Sequence, residues 1–253
     1  MDKEGEFVMN NTFDFKRFGQ VLAKDGRAYF RNYGIGMIAS VCLPVVFWVI
    51  SLVLDINIDS ETRGNLIGGI LFAVVMFIPE ILYGKANLSH GGVGFAMLPA
   101  TAAEKFFSMF FYCSILTPIV CGLGCWGVDS LMMLMPFGGF KEFVHPINMN
   151  NPIGIIIREI AVFLLFFLLL ESCFLLGNMF FKKHKAAKTF GWLLLVFFVL
   201  VVAILVPAMN NPKDLFIFNM YAESFLWIFV SIFIVGIILI NYLTYRRIKN
   251  QKY

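Results

Sequence analysis

The sequence predicts an all-α, polytopic membrane protein with six transmembrane helices. Of its 253 residues 60% are hydrophobic and only 14% are charged, and its mean hydropathy is +0.82. Soluble domains are typically about half apolar and about one quarter charged, so this chain has too little polar surface to cover a water-soluble core. Six apolar runs are each long enough for a helix to cross a hydrocarbon layer about 30 Å thick.

The segment before the first apolar run, residues 1–33, is predicted to be a cytoplasmic N-terminus with an amphipathic interfacial helix over residues 13–33. One face of this helix is aromatic and aliphatic, and the other is basic and polar. The first face consists of Phe15, Phe18, Leu22, Tyr29 and Tyr33, and the second of Arg17, Gln20, Lys24, Arg27 and Arg31. We expect it to lie nearly parallel to the membrane, with the aromatic face in the lipid, and to turn into the first span at Gly26 or Gly34. The helix either anchors the chain or transmits force to the first span.

The apolar runs define one six-helix transmembrane domain, residues 34–245, which is followed by a basic cytoplasmic tail, residues 246–253. Pro44, Pro79 and Pro118 lie within runs, and we expect kinks there. The predicted spans are residues 34–54, 65–83, 106–133, 153–180, 190–209 and 221–243.

The distribution of Lys and Arg predicts the orientation of the chain. Of the 20 Lys and Arg residues, all but four lie in four segments. These are the N-terminal segment, the loop between spans two and three, the loop between spans four and five, and the C-terminal tail. Because cytoplasmic loops are enriched in Lys and Arg, we expect a multi-pass protein of the cytoplasmic (inner) membrane with both termini in the cytoplasm. Membrane lipids are expected partners of the basic segments. Topology accounts for the cations, so no nucleic-acid partner is expected.

The loop between spans two and three has the most specific local pattern. Thr101 followed three residues later by Glu104 matches a capping box, so the third helix is expected to begin directly after Thr101. Pro99 prevents this helix from extending toward the N-terminus. Met97 and Leu98 are therefore expected on a partly apolar cytoplasmic surface, which indicates contact with either lipid headgroups or a protein partner.

This loop and the six-span layout resemble the type-2 ABC transporter permeases, especially the small bacterial ones. In that family a Leu-Pro-small-Ser/Thr stretch followed by a Lys lies at the loop that docks on the ATPase subunit. The common Arg after the Ser/Thr is Ala102 here, and the segment between spans five and six is short for the re-entrant helices of many members. The residues that match or adjoin the motif, and that the resemblance assigns to an ATPase-coupling loop, are Met97, Leu98, Pro99, Thr101, Glu104 and Lys105.

The resemblance implies that the chain is the transmembrane subunit of an ABC-type exporter. Its partners would be a separate ATP-binding subunit, which binds the ATP and Mg, and a second permease copy or paralogue. The chain has no Gly-x-x-x-x-Gly-Lys-Ser/Thr sequence, so ATP hydrolysis is expected on the partner, and neither enzymatic activity nor a cofactor is expected in this chain. No metal site is expected either, because the five cysteines lie inside apolar runs and the three histidines lie in different loops. The alternative is a non-transporting membrane scaffold or a regulatory subunit of a membrane complex, which would have the same topology without an ATPase partner.

Four of the ionisable residues inside the predicted spans are candidates for a functional role. Glu171 is closest to the middle of a span and is expected to face another helix or a wet cavity, either as a packing residue or in translocation. Glu80 lies near the cytoplasmic end of span two, where it reaches the interface or pairs with Lys85. Asp129 and Arg158 lie near the outer ends of spans three and four, and we expect them to pair.

Overall fold

The computed structural model describes residues 13–87, 95, 97–135, 140, 142–144, 153–210 and 222–250, with the backbone alone for 153–159, 203–210 and 222–229. Within these ranges the chain is helical and contains no strand. Six helices are long and apolar enough to cross a membrane, which confirms the predicted fold class. They are α1 (Phe15–Leu54), α2 (Ser60–Tyr83), α3 (Ala102–Met133), α4 (Ile153–Phe180), α5 (Lys185–Asn210) and α6 (Ala222–Lys249).

Helix α1 joins the amphipathic segment and the first span without the expected break. It is helical through both Gly26 and Gly34 over 40 residues, which corresponds to about 60 Å, or twice the thickness of the hydrocarbon layer. Gly26 lies beneath the hydroxyl of Tyr112, where any added side-chain carbon would clash. This glycine therefore permits close packing of α1 against α3 instead of a turn.

The aromatic face of residues 13–33 is partly buried against the other helices and partly exposed. Tyr29 and Tyr33 are buried, with ring centroids 5.6 Å apart, and the Tyr29 ring lies 5.5 Å from that of Tyr112 on α3. The prediction that this face lies in lipid is therefore wrong for these two tyrosines. Phe15, by contrast, is 82% exposed. An interfacial position of Phe15, Phe18, Leu22, Arg27 and Arg31 stays a prediction.

Helix α2 lies among the other helices and contacts α1, α3, α4 and α5, while α4 also contacts α6. Side chains from five helices meet in the shared core, among them Ile78, Cys113 and Leu175. Lipid tails are as apolar as these side chains, so the packing is stabilised mainly by van der Waals contact and interhelical hydrogen bonds. Gly177 on α4 allows one such contact, because a side chain there would overlap Thr189 of α5.

Helix α3 changes its geometry in the middle. Residues Phe111–Leu116 form a π-helical segment directly before Thr117 and Pro118. A proline ring clashes with the carbonyl four residues earlier and removes one N–H donor, and a wider π turn relieves both effects. The hydroxyl of Thr117 donates to the carbonyl of Tyr112 at 2.6 Å and so satisfies an acceptor of this segment. This local widening is found where a kink was expected at Pro118.

Contacts between the helices bring all four basic segments to one end of the bundle, which we call the basic end. The Lys185 ammonium donates to the carbonyl of Gly84 at 2.5 Å. The Arg247 guanidinium lies 5.2 Å from the centroid of the Phe180 ring. The Phe106 ring on α3 lies 6.5 Å from that of Tyr245 on α6, and Arg17 of the N-terminal segment contacts α3.

Candidate functional site

The capping box at the start of α3 is confirmed. The hydroxyl of Thr101 accepts from the Glu104 N–H at 3.3 Å, and the Glu104 carboxylate accepts from the Thr101 N–H at 2.9 Å. Helix α3 begins at Ala102, as the pattern predicts. These two bonds satisfy two of the N–H groups that a helix start leaves unpaired.

The same Glu104 carboxylate also binds the start of α1. Its Oε1 accepts from the backbone N–H of Asp14 at 2.9 Å and lies 3.2 Å from Nη2 of Arg17. Asp14 is itself the N-cap of α1 and accepts from the N–H of Lys16. Glu104 is fully buried. One carboxylate therefore joins the starts of two helices, and we call Asp14, Arg17, Thr101 and Glu104 the junction.

The residues assigned to the coupling loop fall into an exposed and a buried group. Met97 is 79% exposed, Pro99 is exposed and Leu98 is half-buried. Lys105 is buried with Glu104, and its ammonium lies 5.3 Å from the centroid of the Phe95 ring. The exposed group can therefore contact a partner, while the buried group can transmit a displacement to the junction.

A second set of hydrogen bonds, which the sequence did not reveal, ties α1 to α2 and α3 deeper in the bundle. Asp25 accepts from the hydroxyl of Ser108 at 2.7 Å and from that of Tyr83 at 3.0 Å. The hydroxyl of Tyr112 donates to the carbonyl of Leu22 at 2.8 Å. Asp25 lies in a strongly basic segment, and its neighbours in the structure come from far along the chain, so no local pattern identified it.

An exposed aromatic surface lies beside the junction. The Phe13 ring lies 5.2 Å from that of Phe15 and 6.1 Å from that of Phe107, measured between centroids. Phe15 and Phe107 are 82% and 50% exposed. Exposed apolar residues of this kind at the end of a membrane bundle are typical of contact with lipid or with a protein partner.

Glu80 caps the start of α5. Its two oxygens accept from the backbone N–H groups of Lys185 at 3.4 Å and Ala186 at 2.9 Å. An acidic side chain at this position also interacts favourably with the positive end of the helix dipole. Glu80 was expected to reach the interface or to pair with Lys85, which is exposed. In the structure, Glu80 instead joins α2 to the start of α5 through these hydrogen bonds.

Glu171 faces the interior of the bundle. It is 1% exposed, and neither carboxylate oxygen has a hydrogen-bond partner in the part of the chain that the structure describes. Asn178, two turns further along α4, is equally buried, and its amide group likewise has no partner among the described residues. The sequence singled out the first of these two residues but not the second.

Asp129 pairs with Arg63 of α2 at the opposite end of the bundle. Nη1 of Arg63 lies 3.5 Å from Oδ2 of Asp129, and the two side chains are 1% and 2% exposed. The Arg63 guanidinium also lies 3.9 Å from the centroid of the Phe140 ring and donates to the carbonyl of Glu142. The expected partner of Asp129 was Arg158, whose side chain lies outside the described residues.

Metal ligands do not cluster in the described ranges, where no group of three or more His, Cys, Asp or Glu side chains could hold an ion. Comparison of the sequence with models of protein families finds no match. Comparison with curated proteins finds none either, and neither does comparison with solved structures. Any functional assignment therefore rests on the residues themselves and on the resemblance of the loop.

Proposed function

We propose that this chain is the transmembrane (permease) subunit of an ABC-type exporter, in which a separate subunit hydrolyses ATP. The observation that supports the proposal best is the junction. The loop that resembles an ATPase-docking loop is hydrogen-bonded through one buried carboxylate to α1, which is the longest of the helices as described. A displacement of the loop would therefore move the starts of α1 and α3 together.

The chemistry of the junction suits transmission of force. Hydrogen bonds to a charged group are stronger than neutral ones, and at Glu104 they are shielded from water. Asp25 adds a second attachment between the same helices about 16 Å further along α1, eleven residues from Asp14. Two attachments at different heights resist rotation of one helix against the other, so a push at the loop would tilt α1 and α3 as one unit.

The proposed contact with the ATPase consists of the exposed part of the loop and the neighbouring aromatic surface. Both lie at the basic end, which we propose faces the cytoplasm. The supporting observation is that all four basic segments meet there, as the enrichment of cytoplasmic loops in Lys and Arg requires. ATP and its Mg ion would bind to the partner subunit, and a second permease copy or paralogue would complete the exporter.

A purification experiment tests this proposal. The tagged, full-length chain should be isolated from native membranes with a protein that contains a Gly-x-x-x-x-Gly-Lys-Ser/Thr sequence. Met97→Asp should abolish this association without changing the thermal unfolding of the membrane domain, because it places a charge on an exposed apolar contact. Met135→Asp is the matched control, since Met135 is exposed at the opposite end.

Two results would contradict the proposal. Retention of the ATPase by Met97→Asp at the level of the unmodified chain would exclude the loop as the docking surface. A chain that is isolated without any phosphate-loop protein would favour the alternative function, a non-transporting membrane scaffold or regulatory subunit.

A further inference from the structure

Glu171 occupies an unusual position for a carboxylic acid. It lies nine residues, or about 13 Å, from the end of α4 at the basic end. Its side chain is 1% exposed, and its two oxygens have no hydrogen-bond donor among the described residues. Transfer of an isolated carboxylate from water to an apolar interior is so unfavourable that such a group takes up a proton instead.

The described residues around Glu171 offer no compensating charge. Four elements pack against α4, namely α2, α5, α6 and the π-helical segment of α3. From the π-helical segment, the titratable side chain that interacts electrostatically with Glu171 is Cys113. At the basic end, Glu80 of α2 caps α5, Lys185 of α5 binds a carbonyl and Arg247 of α6 stacks on an aromatic ring. At the opposite end, Arg63 of α2 pairs with Asp129. Among the described residues, no Lys or Arg forms an ion pair with Glu171.

Asn178 provides a second polar group between Glu171 and the basic end. The two residues are seven positions apart and therefore lie on the same face of α4, about 10 Å from each other along its axis. Asn178 is 1% exposed, and neither its amide oxygen nor its nitrogen is hydrogen-bonded to another described residue. A buried amide that makes no bond within the protein can donate to and accept from a passing water or proton carrier.

We propose that Glu171 is a proton-binding site in the membrane interior and that its proton exchanges with water at the basic end by way of Asn178. A proton requires only one carboxylate, whereas a metal ion requires several ligands, and the described residues contain no such cluster. The proposal does not depend on export, because it concerns the bundle alone.

The site links the packing of the bundle to pH. The tightly packed arrangement binds the proton, and an arrangement in which water reaches the carboxyl releases it. The packed arrangement is therefore favoured while Glu171 holds its proton and is destabilised when the proton is lost. A rise in pH at the basic end should favour helix separation around α4.

Infrared difference spectroscopy tests the site directly. The full-length protein in phospholipid nanodiscs is compared with Glu171→Gln, a neutral variant of nearly the same shape. The difference spectrum at neutral pH should contain the carbonyl stretch of a protonated carboxylic acid, and this band should shift when H₂O is replaced by D₂O. A difference spectrum that contains only carboxylate bands would overturn the proposal, and so would an acid band that never shifts in D₂O.

The proposed route by way of Asn178 is tested by the rate at which the acid carbonyl band shifts after H₂O is replaced by D₂O. Asn178→Leu should slow it about tenfold, which corresponds to the loss of one hydrogen-bonding step. Asn178→Ala is the second variant, with the same expected slowing, in case the larger side chain prevents folding. The control is Asn241→Leu, because Asn241 bonds to Ser172 of α4 but lies on α6. Equal rates in the Asn178 variants and the unmodified protein, or equal slowing by the control, would refute the role of Asn178.

Discussion

Replacement of Glu104 by alanine should loosen the start of α1 as well as the start of α3. The variant loses the capping box, which contributes about 1 kcal/mol. It also loses the bond from the Asp14 N–H to a charged acceptor, worth about 2 kcal/mol. The contact with Arg17 adds less, because that side chain is 25% exposed and can be rehydrated. We therefore expect a destabilisation of about 3 kcal/mol that is shared between two helices.

Hydrogen–deuterium exchange of the protein in nanodiscs measures this effect locally. A loss of about 3 kcal/mol corresponds to exchange that is about a hundredfold faster where local opening limits the rate. The increase should appear in peptides from the first turns of both α1 and α3, although about 90 residues separate them. Glu61→Ala is the matched control, since Glu61 lies in the first turn of α2 and is exposed.

Two outcomes would refute this reasoning. If only the start of α3 exchanged faster, Glu104 would be an ordinary cap and α1 would be held by other contacts. If Arg17→Ala and Glu104→Ala had additive effects on reversible unfolding in mixed micelles, the two side chains would not interact. Through a shared hydrogen-bonded network we expect a coupling energy of about 0.5–1 kcal/mol.

Three further predictions concern contacts between the helices. Asp25→Ala should reduce the free energy of unfolding by about 2–3 kcal/mol, because it leaves two hydroxyl groups without their acceptor; an unchanged value would show that both hydroxyls find other partners. Gly177→Ala should cost about 1–3 kcal/mol through overlap with α5, whereas Gly191→Ala, whose new carbon meets nothing, should be nearly neutral in the same assay. Arg63→Ala should cost about 3–5 kcal/mol by leaving Asp129 as an unpaired buried charge. Adding Asp129→Ala should recover part of that loss, and a double variant no more stable than Arg63→Ala would contradict the pairing.

The number and approximate bounds of the six helices could be predicted because the membrane fixes both the length and the composition of a spanning helix. The start of α3 could be predicted because a capping box involves residues only three positions apart. The burial of Tyr29 and Tyr33 against other helices could not be predicted, because an apolar helix face is chemically suited to lipid and to protein alike. The partner of Asp129 could not be predicted from local sequence patterns either. Two cations on different helices, Arg63 and Arg158, lie near the same end of the bundle as Asp129, and the sequence does not show which of them is closer.

Three glutamates show why sequence position alone does not assign a role to a buried acid. Glu80, Glu104 and Glu171 all lie in or beside apolar segments, yet the first two accept hydrogen bonds from backbone N–H groups at helix starts. Such donors are free only in the first turn of a helix, because every N–H further along already bonds within the helix. A carboxyl near the end of a bundle can therefore be satisfied by a neighbouring helix start, whereas one in the middle of a span must find a side chain or a proton. Because of this difference in available donors, Glu80 and Glu104 connect helices, whereas we propose that Glu171 exchanges a proton.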